Sequence, residues 1–268
     1  MKRLVLRLRA EPDQRLDLSP LVPERLAGRN AREIGAIAIH TTRQAATVGD
    51  LFDLAIGDVE HIVIEGGSAR LDRVGEAMGR GTILVEGNVG NRAGRAMTGG
   101  RLMIRGHAGH WTASGNKAGR IEVTGDVGDR LAGPLPGEMR GMSGGLVVVR
   151  GRAGERAGDR LRRGILIIEG AAAAYTGSRM LAGTLIVGGE VGPEAGYLMR
   201  RGTIVLGAAA AISATFVDCG VHELVANQLM AAFLDMDSAA AAKVLRRPLR
   251  RFAGDMAVSG KGEIFVAT

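Results

Sequence analysis

The sequence predicts a right-handed parallel β-helix with a small N-terminal cap and a C-terminal helical segment. Three observations favour this fold. A strand-like segment recurs about every 19 residues, a run of small residues follows each copy, and glycine occurs 42 times while aromatic residues make up only 3% of the chain. This composition is typical of a repetitive backbone in which many positions require a residue without Cβ and large hydrophobic anchors are scarce.

The repeated strand begins with glycine and continues with alternating β-forming residues, as in GTILVEG at Gly81 and GILIIEG at Gly164. Its seven copies start at Gly81, Gly100, Gly119, Gly145, Gly164, Gly183 and Gly202. Successive starts are 19 residues apart, except for one step of 26. The long step holds an insertion around residues 134–139, which predicts a loop that bulges from one coil. A period this regular predicts stacked repeats that are stable only together.

Small residues in the pattern G-x-x-G-x-x-x-G follow each strand, and they predict the corners of 19-residue coils. The pattern is complete at Gly87, Gly90 and Gly94, at Gly151, Gly154 and Gly158, and at Gly189, Gly192 and Gly196. In other copies alanine replaces one glycine. Small residues at fixed places fit corners where the chain reverses in tight or left-handed geometry, which a helical or leucine-rich repeat would not need.

Alternation of strand side chains predicts the core, because the second and fourth residues after each opening glycine face the same side. The second positions are Ile83, Leu102, Ile121, Val147, Leu166, Leu185 and Ile204. The fourth positions are Val85, Ile104, Val123, Val149, Ile168, Val187 and Leu206. Burial of each side chain in these two aliphatic ladders contributes roughly 1.5–3 kcal/mol.

The third position of each strand should face outward, yet six of its seven residues are apolar. They are Leu84, Met103, Glu122, Val148, Ile167, Ile186 and Val205, with Glu122 as the exception. Such an apolar stripe needs a cover. One interpretation is that an amphipathic C-terminal helix covers it, and another is that part of it contacts a different subunit. The inward stripe of that helix would consist of Leu224, Val225, Leu229, Ala232, Phe233 and Met236.

The pattern divides the chain into three predicted parts. Residues 1–58 do not follow the 19-residue period and are predicted to form a cap, with a strand at 4–8 and a short helix near 21–26, that protects the edge of the first coil. Residues 59–215 form the predicted β-helix. Residues 216–268 are predicted to close the other end as a helical segment and tail.

Composition also narrows the class of protein. The sequence has no run of 18 apolar residues and no signal-peptide pattern at its N-terminus, so we expect a cytoplasmic protein without a membrane partner. One cysteine, Cys219, excludes an internal disulfide framework and a cysteine-based zinc or iron–sulfur site. The formal net charge of +7 favours an acidic partner without identifying it.

The sequence supports no assignment of catalytic residues or metal ligands. His107 and His110 could supply two ligands, but no third is fixed nearby, so exposed corner residues are the favoured interpretation. The glycine patterns do not predict phosphate loops, because no helix N-terminus with a Lys-Ser/Thr pair follows them. The scarcity of aromatic residues argues against a β-helix enzyme that stacks sugars.

The two ends of the chain carry a more specific resemblance. They contain VGDLF at 48–52, RFAGD at 251–255 and GKGEI at 260–264. Together with the glycine-rich coils, these segments resemble the C subunit of formylmethanofuran dehydrogenase over nearly the whole chain. The coils alone are shared with the C-terminal β-helix of the glutamate synthase large subunit, so the ends indicate the family. Arginine outnumbers lysine, as in GC-rich bacterial genomes, which favours the related formyltransferase/hydrolase complex of methylotrophic bacteria.

The resemblance implies a non-catalytic scaffold subunit that binds no cofactor itself. Its implied partners are an amidohydrolase-like subunit with metals, a molybdopterin-oxidoreductase-like subunit or its degenerate relative, and a formyltransferase. The implied complex converts formyl groups on a methanofuran-type carrier to formate in one-carbon metabolism. Whether the complex also oxidises or reduces the one-carbon unit is left open by the sequence.

One hypothesis concerns the carrier, because methanofuran-type cofactors have glutamyl tails. Arginines on an outer face could attract such a polyanion. The candidates are Arg101, Arg105, Arg120 and Arg150. Solubility or contact with an acidic partner protein is the favoured explanation of the same charges. For the whole chain, the alternatives to a scaffold are a polyanion-binding β-helix protein and an independent β-helix enzyme, and we expect no nucleic-acid partner.

Overall fold

A computed structural model describes residues 2–41 and 44–268. Its strands are β1 (Arg3–Leu8), β2 (Leu16–Asp17), β3 (Phe52–Ala55), β4 (Asp58–Gly67), β5 (Leu71–Asp72), β6 (Thr82–Gly87), β7 (Thr98–Arg105), β8 (Ala118–Val123), β9 (Ser143–Val149), β10 (Arg163–Ile168), β11 (Thr184–Val187), β12 (Thr203–Leu206), β13 (Val217–His222), β14 (Leu249–Gly254) and β15 (Gly262–Ala267). Its helices are α1 (Pro23–Leu26), α2 (Ala31–Gly35), α3 (Val48–Leu51), α4 (Val225–Leu234) and α5 (Ala239–Leu245), and a 3₁₀ turn spans Met256–Val258.

Thirteen strands form one large sheet that is mostly parallel, consistent with a β-helix-like fold. Their order is β13-β14-β15-β12-β11-β10-β9-β8-β7-β6-β4-β1-β3. The pairs from β1 through β12 to β15 are parallel, and the antiparallel pairs of the described residues lie at the two edges. Neighbours in the sheet are one sequence repeat apart, as Leu166, Leu185 and Ile204 illustrate.

A second, narrower parallel ladder accompanies the large sheet. It consists of single bridges that join Ala108, Val127, Ala153, Ala172 and Val191 in succession. Each of these residues follows a strand of the large sheet, and the steps between them match the steps between the strands. Two ladders that advance with one period are what stacked repeats require.

The opening glycine of each repeat is required by the backbone. All seven have φ between +70° and +107°, where a residue with Cβ is strained. A Cβ on Gly119 would also lie 2.6 Å from the carbonyl oxygen of Gly99 in the preceding repeat. Close stacking of backbone on backbone therefore excludes a side chain at this position.

The interior follows the predicted alternation of side chains. Every residue of the two predicted inward ladders is at most 1% exposed, which confirms this prediction. The ladders extend to β4 through Ile62 and Ile64, and to β15 through Ile264 and Val266. The sheet therefore encloses one continuous aliphatic core.

Residues that precede β4 contribute to the same core. The predicted first strand and short helix are present as β1 and α1, and β1 pairs in parallel with β4. Leu4, Leu6 and Leu26 are fully buried against the first repeats. The capping box of α2, formed by Asn30 and Glu33, fixes the start of that helix. The division of the chain at residues 58 and 215 stays a prediction.

The C-terminal part contains strands as well as the predicted helices. After α4 and α5, the chain returns through β14 to β15, which lies beside β12. Phe265 of β15 faces outward, beneath the helices, and is 1% exposed. These strands were not predicted from the sequence, because they lie outside the 19-residue spacing.

Candidate partner interface

The outward third positions form one continuous ladder across the sheet. Helices cover one half of this ladder, and the other half borders a groove. Register joins Val63, Leu84, Met103, Glu122, Val148, Ile167, Ile186, Val205 and Phe265 in succession. The residues after Glu122 are buried beneath α4 and α5, and we call them the covered half. Val63, Leu84 and Met103 face an open groove, and we call them the uncovered half.

The four predicted arginines lie at the border between these halves and beside the uncovered half. Arg120 forms ion pairs with Glu122 and Asp237, and Arg150 forms ion pairs with Glu122 and Glu169. Arg101 lies 3.5 Å from Glu122, and Arg105 lies 3.2 Å from Glu86. The side chains of Arg101 and Arg105 are 47% and 57% exposed, respectively. The structure thus brings Arg101, Arg120 and Arg150 together around one carboxylate and leaves Arg105 in a separate, exposed pair.

Glu122 is the centre of this cluster. Arg150 donates to its carboxylate at 2.9 Å and Arg120 at 3.3 Å. Partial burial of Glu122 opposes its ionisation, but the hydrogen bonds and charges of Arg150 and Arg120 outweigh that cost and hold the pKa of the carboxyl below its ordinary value. The one charged residue of the outward ladder is therefore ionised and paired.

The same cluster attaches the helices to the sheet. Arg120 is paired with Asp237, which lies between α4 and α5, and Arg150 donates to the backbone oxygen of Asp237 at 2.9 Å. Ser238 caps α5 by accepting the backbone N–H of Ala241, and its hydroxyl donates to Glu169 at 2.5 Å. Arg120 and Arg150 thus have structural partners within the chain. Their role in binding a glutamyl tail stays a prediction.

Helix α4 covers the sheet, but with the face opposite to the predicted one. Asn227, Ala231 and Leu234 are its buried residues. Most of the predicted inward stripe is instead exposed, with Val225, Leu229, Phe233 and Met236 between 66% and 95% accessible. Leu224 of that stripe packs against the cluster beneath the helices. The prediction that the C-terminal segment covers part of the outward ladder is confirmed, and the predicted orientation of its stripe is wrong. Because Asn227, Ala231 and Leu234 occupy the inward face, Val225, Leu229 and Phe233 point away from the sheet.

The uncovered half lies at the floor of a groove of about 230 Å³. Leu84 and Met103 are half-buried there, and Val63 is more deeply buried. Arg3, His61, Thr82 and Arg105 complete the lining together with Ile62. The groove therefore combines an apolar floor with a basic rim.

His107 and His110 belong to hydrogen-bond ladders between repeats. The backbone N–H of Asp126 donates to Nδ1 of His107, and that of Asp129 to Nδ1 of His110, both at 2.9 Å. One repeat earlier, Oδ1 of Asn91 accepts the N–H of His110 in the same way. Within residues 2–41 and 44–268, no group of three or more His, Cys, Asp or Glu side chains is placed to hold a metal ion. The histidines thus replace asparagine in a structural role.

A second cationic surface, beside the seven-residue insertion, was missed by the sequence analysis. Two grooves flank Met139, and their basic lining residues are Arg95, Lys117, Arg140 and Arg162 in one and Arg160, Arg179 and Arg200 in the other. Glu138 pairs with Arg95, and the buried Asp159 pairs with Arg179. Arg160 and Arg179 are one repeat apart. Arginines that recur at the 19-residue spacing are therefore the sequence signal that would have revealed this surface.

Comparisons with known proteins place the chain in a family. No family model matches it. It is 51% identical over 261 residues to the C subunit of the formyltransferase/hydrolase complex Fhc of Methylorubrum extorquens, a match that covers 97% of this chain and 98% of that one. A chain in the X-ray crystal structure of the formyltransferase/hydrolase complex (FhcABCD) from Methylorubrum extorquens, in complex with methylofuran, superposes with a TM-score of 0.95. That superposition is 43% identical and covers 98% of this chain and 99% of the other.

More distant matches extend the relationship to formylmethanofuran dehydrogenases. The C subunit of tungsten-containing formylmethanofuran dehydrogenase 2 from Methanococcus maripaludis is 29% identical over 92 residues, 34% of each chain. Its counterpart from Methanothermobacter marburgensis is 30% identical over 95 residues, 33% of this chain and 35% of that one. Among the residues that the structure describes, no helix is long and apolar enough to cross a membrane. The chain therefore belongs to the family formed by the C subunits of formyltransferase/hydrolase complexes, which is related to the C subunits of formylmethanofuran dehydrogenases.

Proposed function

We propose that this chain is a non-catalytic scaffold subunit of a cytoplasmic formyltransferase/hydrolase complex. The complex transfers formyl groups on a methylofuran-type carrier and hydrolyses them to formate in one-carbon metabolism. Its other subunits are an amidohydrolase-like protein, a degenerate molybdopterin-oxidoreductase-like protein and a formyltransferase. The extent of similarity to a component of FhcABCD, over nearly the full length of both chains, supports this assignment.

One observation carries the scaffold role, namely that α4 has large apolar side chains on the face that points away from the sheet. Its ten residues contain no charge, its inner face packs on the sheet, and its outer face exposes Val225, Leu229 and Phe233 to solvent. A group of large apolar side chains exposed together is typical of an interaction surface. We infer that another subunit buries the outer face of α4, which makes the isolated chain an incomplete structure.

The fold suits this role because its repeats stack into one sheet of thirteen strands. We infer that each 19-residue repeat forms one coil of a right-handed parallel β-helix with small residues at the corners. Positive φ at the opening glycines and the second parallel ladder support this geometry. We also infer that residues 1–58 cap one end of the coils and that residues 216–268 close the other.

The test is native mass spectrometry of the affinity-purified chain from its source cells. For the wild type we expect a fixed stoichiometry with the three partner types, and no turnover by the chain alone. The double variant Leu229→Asp/Phe233→Asp should lose at least one partner, because two charges would enter an apolar interface. Both residues are exposed in the isolated chain, so its melting temperature should stay unchanged.

The matched control is Ala239→Asp/Ala240→Asp, which adds the same charge at exposed positions of the neighbouring helix. This control should retain every partner. A wild-type chain that purifies as a monomer or a simple homo-oligomer would contradict the scaffold role. Turnover by the isolated chain would favour an independent enzyme, and a steeply salt-dependent affinity for polyanions would favour a polyanion binder.

The basic border supports a subsidiary proposal about the carrier. Of the four arginines, Arg101 and Arg105 are exposed enough to meet a glutamyl tail without breaking the attachment of α5. The variant Arg101→Gln, at a residue outside the lining of the groove, should raise the Michaelis constant of the assembled complex for the carrier and leave its stoichiometry intact. An unchanged Michaelis constant would assign these charges to solubility or to contact with an acidic partner protein.

A further inference from the structure

We propose that the uncovered half of the outward ladder is a second docking site, and that its occupant is an amphipathic helix of another subunit with an acidic flank. The inference rests on the proposed function and deepens it by assigning a surface and a partner chemistry. It concerns a part of the sheet that is separate from α4, on the N-terminal side of Glu122.

The floor of this site repeats the surface on which the chain already binds a helix. Val63, Leu84 and Met103 occupy the same register positions as Val148 and Ile167 of the covered half. In the covered half, these positions are sealed by α4 and α5. In the uncovered half, Val63 is largely buried, but Leu84 and Met103 are only half-buried beside the groove and leave apolar surface that a further helix would bury.

The dimensions match a helix of about three turns. The uncovered half extends over β1, β4, β6 and β7, because Val5 of β1 pairs with Val63. Three strand spacings of about 4.8 Å give roughly 14 Å. A helix of about ten residues covers that distance at 1.5 Å per residue. Helix α4, which packs with α5 over the covered half, has the same length of ten residues.

The positive charges of the rim favour a partner helix with acidic side chains along one side. Arg3, His61 and Arg105 line the groove, and none of its described lining residues is acidic. Within the rim, Arg105 is paired with Glu86, whereas Arg3 forms no ion pair among the described residues. Beyond the groove, Arg7 is paired with Glu65. A helix with carboxylates along one side would complement this rim. A glutamyl chain would meet the same cations but would leave the apolar floor exposed, so the floor favours a helix.

Photo-crosslinking in the assembled complex tests the inference. The photoreactive residue p-benzoylphenylalanine replaces Met103, the complex is purified and irradiated, and the crosslinked peptides are sequenced by mass spectrometry. We expect an adduct with a segment of another subunit that is apolar on one helical face and acidic beside it. In parallel, Leu84→Asp should reduce retention of that partner at least tenfold in native mass spectrometry. The control Ala240→Asp, at an exposed position of α5 away from the groove, should retain it.

Each other outcome overturns the inference. One is an adduct within the chain, with a second copy of the chain or with the glutamyl tail of the carrier. The others are an adduct with a segment that lacks the acidic flank, and the absence of any adduct. The crosslink decides the matter even if Leu84→Asp fails to fold. If the wild-type complex contains its partners but Met103 gives no such adduct, only this inference fails. If the wild-type chain has no partners, the proposed function fails with it.

Discussion

The covered and uncovered halves of the outward ladder begin from one sequence pattern and reach different surroundings. Ile167 and Ile186 are fully buried by helices from the same chain, whereas Leu84 and Met103 lie half-buried beside an open groove. The repeat thus determines which way a side chain points. Contacts with segments more than 30 residues distant in sequence determine whether that side chain is buried.

The border between the halves is chemical as well as geometric. Glu122 interrupts the apolar ladder at the edge of the surface that α4 and α5 cover. Arg120, one of its partners, also forms an ion pair with Asp237. An apolar residue in its place would continue the stripe without anchoring the connection between α4 and α5. Substitutions in the covered half, at the border and in the uncovered half should therefore change stability by different amounts.

The largest effect is expected in the covered half. Ile167→Ala should lower the free energy of unfolding of the isolated chain by about 2–5 kcal/mol, because it leaves a cavity beneath α4 and α5. The matched change Leu84→Ala in the uncovered half should cost less than about 1.5 kcal/mol, since that side chain retains contact with water. Urea unfolding of both variants measures the difference. Equal losses would mean that the two halves are covered alike in solution.

A smaller effect is expected from the cap that joins the helices to the sheet. Ser238→Ala should cost about 1–2 kcal/mol, because it removes the N-cap of α5 together with the hydrogen bond to Glu169. Asn30→Ala, at the exposed N-cap of α2, is the matched control and should cost about 0.5–1 kcal/mol. Thermal melts of the two variants would show the order reversed if Ser238 does not link helix and sheet.

The border should make stability depend on pH. The pKa of Glu122 is lowered in the folded chain, so its contribution is fully present above the ordinary value of 4.5 and is lost as the pH falls from there through the folded value. Because these ion pairs remain partly exposed, the change should be below about 1 kcal/mol. Unfolding free energies between pH 3 and 6 measure it, and Glu122→Gln should flatten this part of the profile. A profile that Glu122→Gln leaves unaltered would contradict the paired state of the carboxylate.

The smallest effect is expected at the exposed pair beside the groove. Arg105→Gln should change the free energy of unfolding by less than about 0.5 kcal/mol, since Arg105 and Glu86 are both well exposed. Chemical unfolding at low and high salt checks this expectation. A larger, salt-sensitive loss would show that Arg105 stabilises the fold itself and would weaken its assignment to binding.

Sequence reasoning predicted the inward ladders because strand alternation alone decides them. Ile83 and Val85 point inward for the same reason as Leu185 and Val187, whatever lies elsewhere in the chain. The opening glycines were recognised from the sequence as the start of each repeat, but their positive φ and close stacking were found only in the structure. The direction of strand side chains was therefore predictable without knowledge of distant contacts.

The orientation of α4 was not readable, because both of its faces are apolar. Periodicity favoured Leu229 and Phe233 as inward residues, yet Ala231 and Leu234 fit closer to the sheet. The convergence of Arg120 on Asp237 joins positions more than 100 residues apart, and no repeat relates them. β15 was missed for a similar reason, since it joins the stack some 60 residues after β12.

The seven-residue insertion shows how much extra chain one corner can accept. Ile121 still pairs with Val147, and Val127 with Ala153, as if the two repeats were 19 residues apart. Lengthening a surface loop costs little entropy once its ends are fixed. Gly137, at the tip, has no neighbour within 4 Å of where a Cβ would lie. This corner is therefore a suitable place to insert an epitope tag or a fluorescent label with which the protein can be followed inside its complex. The insertion point lies outside α4 and outside the groove of the uncovered half.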